Sequence, residues 1–303
     1  MISVIITTKK EPQTLPRAIK VILDEIGNLS ENEYEVLVVG PDKETKEIVA
    51  QFPEVKFIQD KGIGKPAALN LALRQAQGDI LILTDGDVFL KKYTIVKILR
   101  HFDNEKIGAV SGHPVSINSR ENIFGYWSHF LTDAADLVRR KKARRSEYLV
   151  CSGYLYAFRN IIKEIPAETL VEDSIISQMI WQNGYKIAYE PEAIVYVKFP
   201  TTFKDWLKQK IRATGGYMQK SQIPNPKSQT NFKFQILNSK QHMRGFWEEI
   251  GGGIKLFFTY PKSLKEFWWT ILLYLARLYL WLLIFVRIKI LKKYSWPRVE
   301  STK

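Results

Sequence analysis

A short apolar run that stops on two acids restricts this chain more than any other feature. Ile80, Leu81, Ile82 and Leu83 offer no polar face, so a strand built from them must be covered on both sides, as central strands of parallel sheets are. Thr84 then leads into Asp85-Gly86-Asp87. In open α/β sheets the carboxyl ends of the strands are where ligands bind. Gly86 lets the backbone turn and keeps the space between the acids clear. Two carboxylates at such a point suit a hard divalent cation, Mg²⁺ or Mn²⁺, which can in turn hold a diphosphate. Asp-Gly is also ordinary turn chemistry, and on these residues alone an exposed turn is the favoured reading; the rest of the chain changes that weighting.

The flanking segments alternate between strand and helix. Residues 2–7, 34–39 and 55–59 read as strands. Glu11-Pro12 and Leu15-Pro16 open a helix running to about Leu29, with Pro16 tolerated in its first turn. Glu44 to Phe52 and Pro66 to Ala76 read as further helices. The alternation predicts an α/β fold with a mostly parallel sheet and right-handed crossovers. Beyond the acids, Gly108 to Val115 reads as a strand and 121–138 as a helix. Leu149 to Phe158 reads as a strand interrupted by Ser152-Gly153, and Tyr185 to Val197 as a short strand pair. Glu172 and Asp173 precede Ile175, Ile176, Met179 and Ile180 at helical spacing. They serve either as helix-start acids or, one of them, as a general base at the sheet edge. Over 203–214, Phe203, Trp206, Leu207 and Ile211 line one face of an amphipathic helix. Gln209 and Arg212, three apart, share its polar face.

Charge and composition narrow the partners. The 303 residues carry a net charge of +14, which calls for nucleic acid, anionic lipid or a phosphorylated substrate. No nucleic-acid-binding motif accompanies the charge, so nucleic acid is not an expected partner. The single cysteine, Cys151, excludes an internal disulfide framework and a Cys-rich zinc site. Met1 runs straight into the strand-like Ile2 to Ile6 with no charged n-region or cleavage site, so the catalytic part is expected on the cytoplasmic face. Arg139, Arg140, Lys141, Lys142, Arg144 and Arg145 form a basic run. It reads as a solvated surface, or as a contact for phospholipid headgroups or a phosphorylated acceptor.

Residues 267–286 have Arg277 as their only charge and are long enough for a membrane helix. Thr270, Tyr274 and Arg277 give that helix a polar stripe, and Arg287, Lys289, Lys292 and Lys293 crowd its end. One crossing from a cytoplasmic domain would put those charges outside, against the positive-inside tendency. An interfacial or re-entrant helix fits them better; a spanning helix and a core or oligomer contact are the other readings. The expected organisation is a catalytic domain over 1–220, a linker over 221–253 and a membrane-associated helical region over 254–303.

Taken in order, these segments resemble family 2 glycosyltransferases of the GT-A fold over residues 1–220. Ile2 to Glu11 resembles the family's first strand and nucleotide-cupping turn, which implies that Thr8 and Glu11 meet the nucleotide. Asp60 to Asn70, with Lys65, is similar to its Gly-Lys…Ala-Leu-Asn segment. Asp85-Gly86-Asp87 resembles the Asp-x-Asp metal motif. Ser152-Gly153 through Phe158-Arg159 resembles its acceptor-side strand, and Glu172-Asp173 its Glu-Asp pair. Gln209-Lys210-Ile211-Arg212 matches four places of its Gln-x-x-Arg-Trp motif. Two positions depart. Gly40-Pro41-Asp42-Lys43 stands where the family often has Asp-Asp-Gly-Ser, leaving Asp42 as the candidate base-recognising acid. Ala213 stands where the motif has Trp, which argues against a long processive polymer channel.

The resemblance implies an inverting transfer from a nucleoside-diphosphate sugar, with UDP expected from the family's habits. Asp87 would hold the metal, with Asp85 on ribose or metal. Lys65, Gln209 and Arg212 would clamp the diphosphate. Asp173 would be the base and Glu172 its orienting neighbour. The acceptor would be a hydroxyl or phosphate at the membrane, on a lipid-linked or polysaccharide molecule. A nucleotidyltransferase and a catalytically silent membrane-associated binding protein are the competing classes.

Overall fold

The computed structural model describes residues 1–27, 33–167, 169, 171–219 and 255–286; the expected linker over 221–253 and the basic cluster after residue 286 lie outside them. Strands β1 (Ile2–Thr7), β2 (Tyr34–Gly40), β3 (Val55–Gln59), β4 (Ile80–Asp85), β5 (Phe89–Leu90), β6 (Ile107–Ser116), β7 (Leu155–Arg159) and β8 (Lys186–Val197) form one sheet. Its order is β3-β2-β1-β4-β7-β6-β8-β5. The helices are α1 (Leu15–Ile26), α2 (Lys43–Val49), α3 (Lys65–Gln75), α4 (Thr94–Leu99), α5 (Ile123–Arg144), α6 (Glu172–Gln182), α7 (Phe203–Gln219) and α8 (Leu264–Phe285), with a 3₁₀ turn at Arg100–Asp103.

The first four strands of that order are parallel, and the period-2 alternation of strands explains why they read as unbroken apolar runs. Val4, Ile6, Val36, Val38 and Ile82 point into one core with α1. Ile5, Leu37, Val39, Leu81 and Leu83 point into the other with α3 and α6. Removing such side chains from water contributes about 1.5–3 kcal/mol each. The second half of the sheet is mixed. β7 runs antiparallel to both β4 and β6, β6 and β8 are parallel, and β5 is antiparallel to β8.

Two expected strands take other forms. Regular strand begins at Leu155, not Leu149. The backbone N–H of Cys151 donates to Ser177 Oγ at 3.0 Å and that of Ser152 to Ser111 Oγ at 2.9 Å. Side chains thus satisfy groups that would otherwise seek a ladder partner. The expected strand pair over 185–197 is one strand, irregular opposite Ser111 to His113. Pro191 lies in that irregularity, where no ladder donor is needed, and its carbonyl accepts from His113 Nδ1 at 2.9 Å. α1 stops at Ile26, and α5 continues through the basic run to Arg144, where cations favour a helix C-terminus.

α8 packs lengthwise on α5 and α7 through Thr270, Leu273, Ala276, Leu280 and Ile284. Tyr126 Oη and Thr270 Oγ1 hydrogen-bond at 2.7 Å, and Trp127 Nε1 donates to the carbonyl of Trp269 at 2.8 Å. Tyr274, half-buried, meets Phe130 edge-on. The stripe of Thr270 and Tyr274 therefore faces protein. Trp268, Leu272, Leu275, Leu278, Leu282 and Phe285 are exposed instead. Apolar residues therefore occupy both the packed and the outward face, unlike a surface helix in water, which turns a polar face outward. α8 is long and apolar enough to cross a membrane, with a mean hydropathy of 1.6.

Candidate active site

The site lies at the carboxyl edge of the parallel strands, where β1 and β4 end side by side. Their register sets Thr7 beside Asp85, and Thr7 Oγ1 donates to Asp85 Oδ1 at 2.8 Å. The chain leaves β1 through Thr8, whose Oγ1 donates to Glu11 Oε2 at 2.9 Å. Gly86 lies against that turn: a Cβ there would fall 2.8 Å from Thr8 Oγ1 and 3.0 Å from Glu11 Oε2. Only glycine permits this approach, so Thr8, Glu11, Asp85 and Asp87 come together as the sequence led us to expect.

Lys65, at the start of α3, joins the two acidic motifs. Its Nζ lies 2.6 Å from Asp85 Oδ1 and 2.9 Å from Glu172 Oε1. Burial alone would lower the Lys65 pKa, but the two carboxylates outweigh it and drive the pKa far above the ordinary lysine value. Burial would likewise raise Glu172, yet Lys65 holds it below the usual carboxylate range. Lys65 thus grips two carboxylates in this structure.

Asp173 behaves oppositely. Burial and the neighbouring Glu172 charge push its carboxyl up to about 7. Its Oδ1 accepts from the N–H of Ser174 at 2.7 Å. Its Oδ2 faces Gly153, where a Cβ would fall 3.0 Å away. Adjacent carboxyls, one held ionised and one tuned toward neutrality, are what acid–base chemistry near pH 7 needs. Asp87 is also pushed up to about 7, by burial and by the charges of Asp85 and Glu11.

The remaining expected residues sit around this centre. Gln209 on α7 reaches Tyr154 Oη at 3.5 Å. Arg212, one turn on, is exposed, and its charge acts on Tyr154 and Glu172. Asp42 caps α2: its Oδ1 accepts from Thr45 N at 3.0 Å and Thr45 Oγ1 at 2.7 Å, while its Oδ2 accepts from Lys10 N at 3.1 Å. Burial would raise its pKa, but these donors outweigh burial and lower it. Asp42 therefore braces the turn after β1 against the start of α2.

Residues 3–165, more than half of the chain, match the sequence profile described as glycosyl transferase family 2. The chain belongs to that family. It is 25 % identical over 229 residues to poly-beta-1,6-N-acetyl-D-glucosamine synthase of Staphylococcus epidermidis, covering 71 % of this chain and 54 % of that protein. Probable glycosyltransferase YdaM of Bacillus subtilis is 25 % identical over 231 residues, with coverage of 71 % and 54 %. The chain thus spans about half the length of the curated relatives it matches. A mannosyltransferase from Pyrobaculum calidifontis, solved with GDP-Man and Mn²⁺, shares the fold with a TM-score of 0.58 at 17 % identity, over 96 % of this chain and 80 % of that one.

The donor set of this family 2 chain fits a divalent cation bound partly by substrate. Among the described residues no group of three or more His, Cys, Asp or Glu side chains forms a cage. Mg²⁺ in particular is commonly held by one or two carboxylates together with substrate phosphates. Burial, and then the charges of Asp85 and Glu11, raise the Asp87 carboxyl; a bound cation would offset those charges.

Sequence reading missed Tyr154. Burial and the charges of Asp87 and Asp85 push its phenol far above its ordinary value, and it links α7 to the acids. The one available signal was its place directly after Ser152-Gly153, where the chain enters β7. It also missed the dependence of Asp173 on Gly153. Gly153→Ala is expected to lower kcat about tenfold or more by displacing the Asp173 carboxylate, a sub-ångström change of the kind that disrupts near-attack geometry, with KM for the sugar donor within twofold of wild type. An unchanged kcat in steady-state assays would remove Gly153 from the site.

Proposed function

We propose that this family 2 protein is an inverting, metal-dependent glycosyltransferase that moves a sugar from a nucleoside-diphosphate sugar to an acceptor at the membrane. The observation that carries the reading is the divided pair at the head of α6. Lys65 keeps Glu172 ionised, and Asp173 is tuned to about 7. In this reading Asp173 accepts the acceptor hydroxyl's proton at Oδ2, on the side cleared by Gly153. Glu172 holds Lys65 in place, and Lys65, Gln209 and Arg212 contact the diphosphate. Thr8, Glu11 and Asp42 support the nucleotide side. Asp87 and Asp85 would hold Mg²⁺ or Mn²⁺, whose positive charge would stabilise the leaving diphosphate. GDP-Man and Mn²⁺ bound to the related mannosyltransferase fold support the donor class and the metal. UDP is the nucleotide proposed here, on the family resemblance.

The membrane reading rests on α8. Its polar stripe is taken up by α5, and its outward face is apolar. Such a helix, held lengthwise on the domain, is suited to lie in the cytoplasmic interface of a bilayer.

The test is nucleoside-diphosphate release from UDP-, GDP- and dTDP-sugars, with Mg²⁺ or Mn²⁺ and a membrane lipid extract. One donor should be turned over, and EDTA should stop the release. Asp87→Asn should lose the metal dependence of donor affinity and lower turnover by about a hundredfold or more. Donor affinity that stays metal-dependent in Asp87→Asn would take the ion away from Asp87. Release of pyrophosphate in place of a nucleoside diphosphate would point to a nucleotidyltransferase.

A further inference from the structure

The basic run at the end of α5 is not one uniform surface. Arg140 is committed to Asp136, with Nε–O distances of 2.8 and 2.9 Å, and Arg145 lies 3.6 Å from Glu147. Lys141 and Arg144 are exposed. Arg139 turns inward. It is half-buried, and its Nε donates to the carbonyl of Val150 at 3.4 Å. Val150 begins the segment that ends at Gly153, against Asp173 Oδ2. The same segment is tied to the base a second time: Cys151 N–H donates to Ser177 Oγ, which donates to the carbonyl of Asp173 at 2.6 Å. Arg139 and Asp173 thus meet the same braced stretch of chain, Arg139 at Val150 and Asp173 at Gly153.

We propose that Arg139 is a specificity residue that grips a negatively charged group on the acceptor, so that this enzyme glycosylates an anionic acceptor. The inference rests on the base role of Asp173 proposed above. A guanidinium presents five N–H groups in a flat fork that matches a carboxylate or phosphate, and the Val150 contact uses only one of them. A cation beside a general base lowers the base's affinity for a proton; Lys65, and after it Arg139, act on Asp173 in that direction, against the larger upward push of burial and Glu172. An acceptor that brings its own negative charge to Arg139 offsets the Arg139 share as it binds. The anionic group has two natural sources, the phosphate of a lipid-linked acceptor or the carboxylate of an acidic sugar, and both present the same oxyanion chemistry.

The experiment uses the full chain in detergent with lipid and two readouts. Calorimetry measures binding of methyl glucuronide, a short-chain polyprenyl phosphate and neutral methyl glucoside. Nucleoside-diphosphate release is then measured with methyl glucuronide and methyl glucoside as acceptors, which carry the hydroxyls the proposed base requires, and the polyprenyl phosphate serves as a binding probe. At least one anionic probe should bind about tenfold or more tightly than methyl glucoside; methyl glucuronide or polyprenyl phosphate as the tighter one identifies the source. Arg139→Gln should abolish that preference, Arg139→Lys should retain part of it, and donor affinity should stay within twofold in both. Equal binding of neutral and anionic probes by wild type would overturn the proposal, as would an unaltered preference in Arg139→Gln. The wild-type comparison decides even if Arg139→Gln does not fold. The binding arm reads Arg139 even if no donor is turned over. Failure of the transferase reading shows separately, as absence of any release sensitive to Asp87→Asn.

Discussion

Asp173→Asn is expected to bind donor normally, to turn over at least about a thousandfold more slowly, the upper part of the range for general-base catalysis, and to melt at a higher temperature than wild type at pH 8. The gain in stability follows from linkage. The folded-state pKa of Asp173 is raised from 3.8 to about 7. Its contribution to stability is therefore fully present below the unfolded value and lost as pH rises through about 7. Above that pH the wild type buries a charge next to Glu172, and asparagine does not. A gain of about 5 °C at pH 8 is the expected size, given about 2–4 °C per kcal/mol for a domain of this class. At pH 5 the folded wild type already holds the proton and most of the gain should vanish. Melting curves at the two pH values, with turnover measured beside them, check both halves. Equal melting temperatures at pH 8 would mean that the buried charge costs nothing, and an active variant would remove Asp173 as the base.

Lys65→Met should have the largest effect on stability. The ammonium is the shared partner of Asp85 and of Glu172, and the Glu172 side chain is only 7 % exposed. Removing one member of such a buried set leaves an uncompensated charge and typically costs about 3–5 kcal/mol. Lys65 lowers the Glu172 pKa, so the loss should be greatest above the ordinary carboxylate range. It should shrink as acid protonates the orphaned Glu172. Urea midpoints at pH 8 and pH 5 test the pH dependence. Lys65→Met combined with Glu172→Gln should recover part of the loss, because the stranded charge is gone. A double variant no more stable than Lys65→Met would show that packing of the lysine stem, not the ion pair, holds this junction.

What the sequence disclosed and what it withheld divide along contact range. Ile80 to Leu83 announced a strand covered on both faces because burial on two sides leaves no polar position, and Asp85 and Asp87 were visible because they end that run. Glu172 and Asp173 were visible as acids at a helix start. The bridge from Lys65 to Asp85 and Glu172 was not, because it joins segments that only the folded sheet edge brings together. Nor was the late start of β7, which depends on Ser111 and Ser177, 41 and 26 residues from the backbone groups they satisfy. The polar stripe of α8 was read from spacing correctly. Its direction was not, because spacing defines a face without saying what lies against it.

α7 meets Tyr154 on one side and α8 on the other: Gln209 reaches the Tyr154 hydroxyl, while Leu207 and Ile211 pack toward Leu280 and Ile284. If the outer face of α8 rests in lipid, the height of the reaction centre above the bilayer is set by two stacked helices, roughly 20 Å at about 10 Å each. That standoff is built from side-chain packing, not from the length of chain joining the two helices. Lengthening the 220–254 segment would leave it unchanged, whereas swapping Leu280 or Ile284 for a larger residue would tilt the catalytic face relative to the membrane plane.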